Sequence, residues 1–401
     1  MNNQLTISYL SATVKMFTVA LFFLLGSVTV EAQYRVRIVL QSIPVDHTND
    51  TVFIAGNFNR WQPNTTAFKM INKEWVVELD SVLKGNVQFK CTRGSWDKVE
   101  STLQGKDIDN HVLYVQSDTV MRIQIEGWKD LLTTAVSSRV STASAQVIIM
   151  DTAFDMPQLK RKRTIRLYLP EGYAHSKKMY PVLYVQDGQN AFDELTAAYG
   201  EWGIDECLDS LIQKGKPACI IVAIDNSNHR LNEYNPFNHK RYGLGEGDAY
   251  VDFLVHQLKP YIDKHYRTQK DAPNTAIAGS SMGALIAYYA TLKYPTVFGK
   301  GGFFSPAFWL AKDTLSVLTA SLAPMAKGKY YFYKGLQEDA DDVVEMQRIE
   351  EQFAQLAPGM VFTVTDENGT HTEKYWRKAF AEFYLWLMAD GFNEVIKLKA
   401  D

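Results

Sequence analysis

The chain has 401 residues and a formal net charge of −3, with 42 Lys+Arg against 45 Asp+Glu. No cationic excess is available to displace counterions, which excludes a nucleic-acid binder held by phosphate contacts. Hydrophobic residues make up 46% and charged residues 22%, enough to bury a core and too apolar for a disordered chain.

Residues 17–30 (FTVALFFLLGSVTV) follow Lys15 and end in Val30-Glu31-Ala32, a small-residue pattern before Gln33. A basic flank, an apolar middle too short for a confident span and this ending predict a secretory signal peptide over 1–32. Met16 is a candidate true start, and an uncleaved anchor is the alternative. No Cys follows the run, which argues against a lipid anchor. The expected location is secreted or periplasmic, without a stable membrane anchor. The three cysteines are too few for a disulfide scaffold and match no zinc spacing. Cys207 and Cys219 could pair, leaving Cys91 over; three buried free thiols is the preferred reading.

From 34 to 128 the chain reads as short strands: YRVRIVLQ, TVFIAGNF, EWVVELDSV, NVQFKCTRG, HVLYVQ and MRIQIEGW. β-branched and aromatic residues fill them, Gly, Asn and Asp bound them, and no helical pattern intervenes. This predicts a small immunoglobulin-like β-sandwich over 33–130. Residues 131–146, rich in Ser, Thr and Ala, read as a linker. From Val147 apolar runs (TIRLYLP, YPVLYVQD, ACIIVAID, NTAIAGSS, GGFFSP, KYYFYKG, MVFTVTDE) alternate with amphipathic stretches such as 202–215 and 247–266. The alternation predicts an α/β domain over 147–401 with a mostly parallel central sheet.

The strand NTAIAG runs into Gly279-Ser280-Ser281-Met282-Gly283 and then the helical stretch ALIAYYATLKY. This is G-x-S-x-G in its strand–turn–helix setting. The bare pattern should arise by chance on the order of once in ten chains of this length; the setting makes it specific. The flanking glycines leave room for a sharp turn that lifts the Ser281 hydroxyl above the sheet. The Met282 N–H, at a helix N-terminus, then faces a developing oxyanion.

A nucleophilic Ser needs a base and an orienting acid, in the chain order Ser, acid, His. Only one of the eight histidines, His371, follows Ser281. The strand KYYFYKG ends in Gly335-Leu336-Gln337-Glu338-Asp339. Glu338 is taken as the acid and Asp339 as its rival, since one residue of loop register separates them. A second oxyanion donor is expected from the loop after PVLYVQ, where Gly188 would let the backbone approach and the Gln189 N–H would point inward.

On these residues, 147–395 resembles the esterase family of the α/β-hydrolase superfamily that includes enterochelin-esterase-like proteins, esterase D and carbohydrate esterase family 1. GSSMGA and GTHTEKYWR are the most specific of the matching segments, which also include VLYVQDGQNAFD and IIVAIDNSNHRLNEYNP. The resemblance implies Ser281 as nucleophile and His371 as base. By position it supports Glu338 as acid and the Gln189 and Met282 amides as oxyanion hole. It also makes Trp202, Phe308 and Trp309 candidate substrate contacts. Ala284 stands where related sequences carry a second Gly, and Asp187-Gly188 departs from the His-Gly of many relatives. VFIAGNFNRWQPN with VQFKCTRGSWDKVE resembles the carbohydrate-binding families 20 and 48. That resemblance implies that Trp61 and Trp96 stack on sugar rings, with Asn57, Asn59 and Arg60 alongside; Trp75 is read as core.

The leading expectation is a secreted serine esterase acting on feruloyl or acetyl esters of plant polysaccharide. The alternatives are a trilactone siderophore esterase of the enterochelin type, an acyltransferase, and a non-catalytic glycan-binding protein. No metal or organic cofactor is suggested, because His and acidic residues show no ligand spacing.

Overall fold

The computed structural model describes residues 32–44, 50–103, 105, 107–130, 140–197, 199–239 and 243–389. The expected signal peptide and residues 131–139 of the expected linker lie outside them.

The N-terminal strands are β1 (Gln33–Ser42), β2 (Phe53–Gly56), β3 (Thr66–Ala67), β4 (Lys69–Ile71), β5 (Glu74–Leu83), β6 (Gly85–Thr92), β7 (Glu100–Ser101), β8 (His111–Val115), β9 (Thr119–Gln124) and β10 (Gly127–Trp128). They form two four-stranded sheets, β4-β5-β1-β9 and β3-β2-β6-β8, plus a β10-β7 pair. The period-2 pattern decides what meets: Val36, Ile38 and Leu40 of β1 face Ile54, Val87, Phe89 and Val115 of the other sheet in one core. On β6 this sends Asn86, Gln88 and Lys90 to the opposite face. Trp75, expected in the core, is 46% exposed. It lies on the outward phase of β5, one residue before the buried Val76.

Eight further strands build the large sheet: β11 (Val147–Met156), β12 (Arg161–Tyr168), β13 (Val182–Gln186), β14 (Ile220–Ile224), β15 (Thr275–Ser280), β16 (Lys300–Phe304), β17 (Lys329–Gly335) and β18 (Met360–Asp366). Their order is β11-β12-β14-β13-β15-β16-β17-β18. β11, β12 and β14 pair antiparallel, and every pairing from β14 to β18 is parallel. β13 is buried along its whole length. Val182 and Tyr184 enter one core and Leu183 and Val185 the other. The helices are α1 (Ile204–Gln213), α2 (Arg230–Glu233), α3 (Gly247–Phe253), α4 (Lys259–His265), α5 (Met282–Lys293), α6 (Lys312–Leu322), α7 (Ala340–Leu356) and α8 (Glu373–Met388); α3, α5 and α7 close the first core, α1 and α8 the second. This two-sided cover is what all-parallel pairing demands.

The helix expected over 247–266 is one run with a widened turn at Leu254–Leu258. Pro260, just beyond, lacks an N–H and would crowd the carbonyl four residues back, which accounts for the widening. The end of the expected linker is tied down. Ser141 Oγ donates to Asp193 (2.8 Å), Thr142 Oγ1 to Glu201 (2.7 Å) and the Ser144 N–H to Asp205 (2.7 Å). All three cysteines are free, with Cys91 and Cys219 buried and Cys207 half-buried. No helix among the described residues is long and apolar enough to cross a membrane.

Candidate active site

In a parallel sheet the loops after the strands gather at one edge. Here those loops carry Gln189 after β13, Ser281 after β15, Ser305 after β16, Glu338 after β17 and His371 after β18. The sequence candidates for nucleophile, base, acid and oxyanion donors therefore share one end of the sheet.

Ser281 adopts φ 55°, ψ −121°, in the half of conformational space that L-residues avoid. Such a conformation costs about 1–3 kcal/mol and persists only under constraint. The constraint is visible. The Ser281 N–H donates to the Phe304 carbonyl (2.9 Å), and the Ser281 carbonyl accepts from Ala307 (3.1 Å). A Cβ on Gly279 would meet the Gly283 carbonyl group at 2.7 Å, and one on Gly283 would meet Asp187 Oδ2 at 3.0 Å. Gly279 is sterically required, and at Gly283 the Asp187 and Gln186 side chains would have to give by a few tenths of an ångström.

Glu338 is enclosed, its side chain 1% exposed. Its Oε1 accepts from Ser305 Oγ (2.6 Å) and the Gly335 N–H (2.9 Å), and its Oε2 meets His371 Nδ1 at 2.9 Å. The Trp376 indole donates to Ser305 Oγ (2.9 Å) and its ring stands edge-on to His371. With the proton on Nδ1, His371 Nε2 is an acceptor. Burial alone would lower the His371 pKa, but the hydrogen bond and charge of Glu338 outweigh it and hold it above the ordinary value. Asp339 turns the other way and caps α7 by accepting from the Asp341 N–H. The Gln337 N–H donates to the Gly369 carbonyl (2.9 Å), which sews the Glu338 loop to the His371 loop. Ser281 Oγ makes no hydrogen bond to His371 among the described residues; such bonds often close only around substrate.

Asp187, also at positive φ (57°), turns the chain into the Gln189 loop. Its carboxylate is gripped by Arg230 (2.7 and 2.8 Å) and accepts from Asn226. Burial alone would lower the guanidinium pKa, but the charge and hydrogen bonds of Asp187 outweigh it and raise it further. The Gln189 side chain accepts from the Asn226 N–H (3.0 Å), while its own N–H has no acceptor among the described residues. A Cβ on Gly188 would strike Ala223 and Ile224 backbone atoms at 2.7 Å. Gly188→Ala should therefore destabilise the protein by about 1–3 kcal/mol, the usual cost of overpacking; an unchanged melting temperature would contradict this contact.

The expected substrate contacts divide. Phe308 is fully buried against Tyr288, with ring centroids 4.9 Å apart, and has no surface for a ligand. Trp202 is 6% exposed and packs against Phe304, Trp376 and Phe380. Both are corrections, because aromatic type does not tell inward from outward. Trp309 is half-buried and lines an open cleft of ≈ 560 Å³ with Arg60, Phe237, His239 and Lys312. Trp61 and Trp96 are both half-buried, with rings 6.3 Å apart and 37° between planes. Asn59 closes the turn before them instead of facing outward. Its Oδ1 accepts from Gly56 (2.9 Å) and Gln62 (3.3 Å), and its Nδ2 donates to the Ile54 carbonyl (2.8 Å) and Thr66 Oγ1 (3.0 Å).

Sequence reasoning missed Ser305, Trp376 and Arg230. Trp376 lies on the helix that follows His371, a signal available in the GTHTEKYWR segment; nothing local marks Ser305.

The family model described as "Putative esterase" matches residues 157–387. The chain belongs to this esterase family. It is a carboxylic ester hydrolase. The esterase is 27% identical over 242 residues to YbbA, an uncharacterized protein of Bacillus subtilis, covering 56% of this chain and 92% of that one. It is 29% identical over 171 residues to an endo-1,4-beta-xylanase/feruloyl esterase of Xylanibacter ruminicola, covering 41% of this chain and 22% of that protein. The enterobactin esterase FES from Shigella flexneri, solved in the presence of enterobactin, has a similar fold at 16% identity. Its TM-score is 0.50, covering 87% of this chain and 88% of that one.

Proposed function

We propose that this esterase is a secreted or periplasmic serine hydrolase of feruloyl or acetyl esters on plant polysaccharide. The observation that carries the chemistry is the 2.9 Å contact of His371 with the enclosed Glu338, on the sheet edge that holds the strained Ser281. Ser281 Oγ attacks the ester carbonyl carbon as His371 Nε2 takes its proton. The Met282 and Gln189 N–H groups receive the negative oxygen. Collapse expels the alcohol, which leaves with the proton from His371. Water then repeats the cycle on the acyl-enzyme and frees the acid.

The substrate class is supported by the similarity to a xylanase/feruloyl esterase and by the Trp61/Trp96 pair, two indoles set close enough to take neighbouring sugar rings. A sandwich at 33–130, a hydrolase from 147 and removal of 1–32 on export belong to the same reading. Ferulate and acetate release from arabinoxylan and acetylated xylan tests it, with Ser281→Ala as the control. Hydrolysis of a catecholate trilactone without release from either polysaccharide would transfer the assignment to the siderophore reading, which the fold likeness to FES favours. Trp61→Ala with Trp96→Ala should weaken retention on insoluble xylan by about tenfold, two stacking contacts being lost; equal retention in a pull-down would remove the sugar role.

A further inference from the structure

Gln88 points away from the sandwich core, on the phase of β6 opposite Val87 and Phe89, yet it is only 3% exposed. An amide on the outer face of a sandwich ordinarily meets water; this one is covered by the hydrolase. A covered amide must find its partners within the protein. Its Nε2 donates to the Gln337 carbonyl, and its Oε1 accepts from Asn110 Nδ2 at 3.4 Å. Two residues earlier on the same face, Asn86 Nδ2 donates to Gln337 Oε1 at 3.2 Å. The strand that presents these two side chains is itself fastened. Asn57 Oδ1 accepts from the Gln88 N–H (3.2 Å), and Asn57 Nδ2 donates to the Asn86 carbonyl (2.8 Å).

Gln337 is bonded on its other side as well. Its N–H donates to the Gly369 carbonyl and its Nε2 to the Glu367 carbonyl, both at 2.9 Å. Its backbone and side-chain groups are thus shared between β6 and the segment that joins β18 to His371. Gln337 directly precedes Glu338, whose Oε2 meets His371 Nδ1 at 2.9 Å. A shift of the Gln337 backbone would therefore carry the carboxylate off the imidazole, and misplacement by about 1 Å can cost a site on the order of a hundredfold in rate. A second tie across the same junction, Lys374 Nζ to Asp109 Oδ2 at 3.1 Å, is exposed on both sides. It does not touch Glu338, and an exposed pair of this kind contributes little.

We infer that Gln88, seconded by Asn86, is a positioning residue for ester hydrolysis: from the sandwich it holds Gln337, and through Gln337 it sets Glu338 against His371. The inference rests on the proposed serine esterase reading, with Glu338 as the acid. It gives the N-terminal sheets a part in turnover that is separate from any sugar binding, so the effect should appear on a small ester that carries no sugar.

The full chain acting on p-nitrophenyl acetate tests this. Gln88→Met keeps the length of the side chain and removes the donor to Gln337. On the pH plateau it should lower kcat by about tenfold with KM within about twofold, the scale of one hydrogen bond lost. The acid limb of kcat/KM should move to lower pH, because a loosened Glu338 raises the His371 pKa less. In a Glu338→Gln background the same change should cost less than about twofold more, since the group it positions is already gone. Asn86→Ala removes only the contact to the Gln337 side chain. It should give about a threefold fall with the limb moving the same way, and it serves if Gln88→Met does not fold. Asp109→Asn breaks the exposed ion pair across the same junction and should leave kcat and the limb unchanged. A Gln88→Met loss with a fixed limb, or one retained in full beside Glu338→Gln, overturns the inference. Unchanged kinetics in both Gln88→Met and Asn86→Ala do so too. No turnover by the wild type, or turnover kept by Ser281→Ala, instead overturns the serine esterase reading beneath it.

Discussion

Ser281→Ala should abolish turnover of p-nitrophenyl acetate, with kcat falling by about 10⁴-fold or more, the range seen when a serine nucleophile is removed. His371→Ala should lose nearly as much, and the double variant little beyond either. In the proposed mechanism nucleophile and base act as a unit: without His371 the Ser281 hydroxyl keeps its proton, and without Ser281 the imidazole has nothing to activate. The folded protein should survive both changes. Ser281 is half-buried, with its strained backbone held from outside by Phe304 and Ala307, and Ala fits the same space. Thermal unfolding run beside the kinetics distinguishes loss of chemistry from loss of fold. Retention of most activity in either variant would mean that the chemistry is misassigned.

Glu338→Gln should come second, with kcat down by about 10²- to 10⁴-fold, since an amide in this position disfavours the needed tautomer. Asp339→Asn should change kcat by less than about threefold, because Asp339 caps α7 and Asn caps equally well. The reverse ordering would move the acid by one residue. Both predictions extend to pH. Below its pKa, His371 is protonated and cannot accept the serine proton. Glu338 raises that pKa, so the acid limb of kcat/KM in the wild type should lie above the ordinary imidazole value of 6.5. Removing the Glu338 charge leaves burial as the main influence, with weaker opposition from Asp342 and Glu373. The acid limb of Glu338→Gln should therefore move to lower pH; a fixed or rising limb would show that Glu338 does not govern the imidazole.

The parts of the fold most readable in the chain were those with one physical solution. A strand such as VLYVQ, apolar at every position, can only be buried on both faces. A serine between two closely packed glycines, where a strand runs into a helix, marks its own turn. β11 opens on the apolar run VIIM but continues as DTAFDM with no such run, and as an edge strand it keeps most side chains in water, so it went unread. Ser305 and Trp376 come from separate elements and meet only once the sheet has brought the β16 loop and α8 together. The aromatics failed for a different reason. Trp202 and Phe308, candidate substrate contacts by resemblance, are buried, and Trp75, expected in the core, is exposed. Residue type sets how much a side chain gains from burial, while the phase of its strand or turn sets whether burial is open to it.

The bonds from Asn86 and Gln88 to Gln337 join residues about 250 positions apart, and Gln337 directly precedes Glu338. The Glu338 loop thus borrows part of its order from a sheet made much earlier in the chain. Domains generally fold N-terminal first during synthesis, so that sheet should be formed before the loop emerges. On heating the dependence runs backwards: the loop should lose its brace when the N-terminal sheet melts, and esterase activity should fade along that transition before the α/β core unfolds.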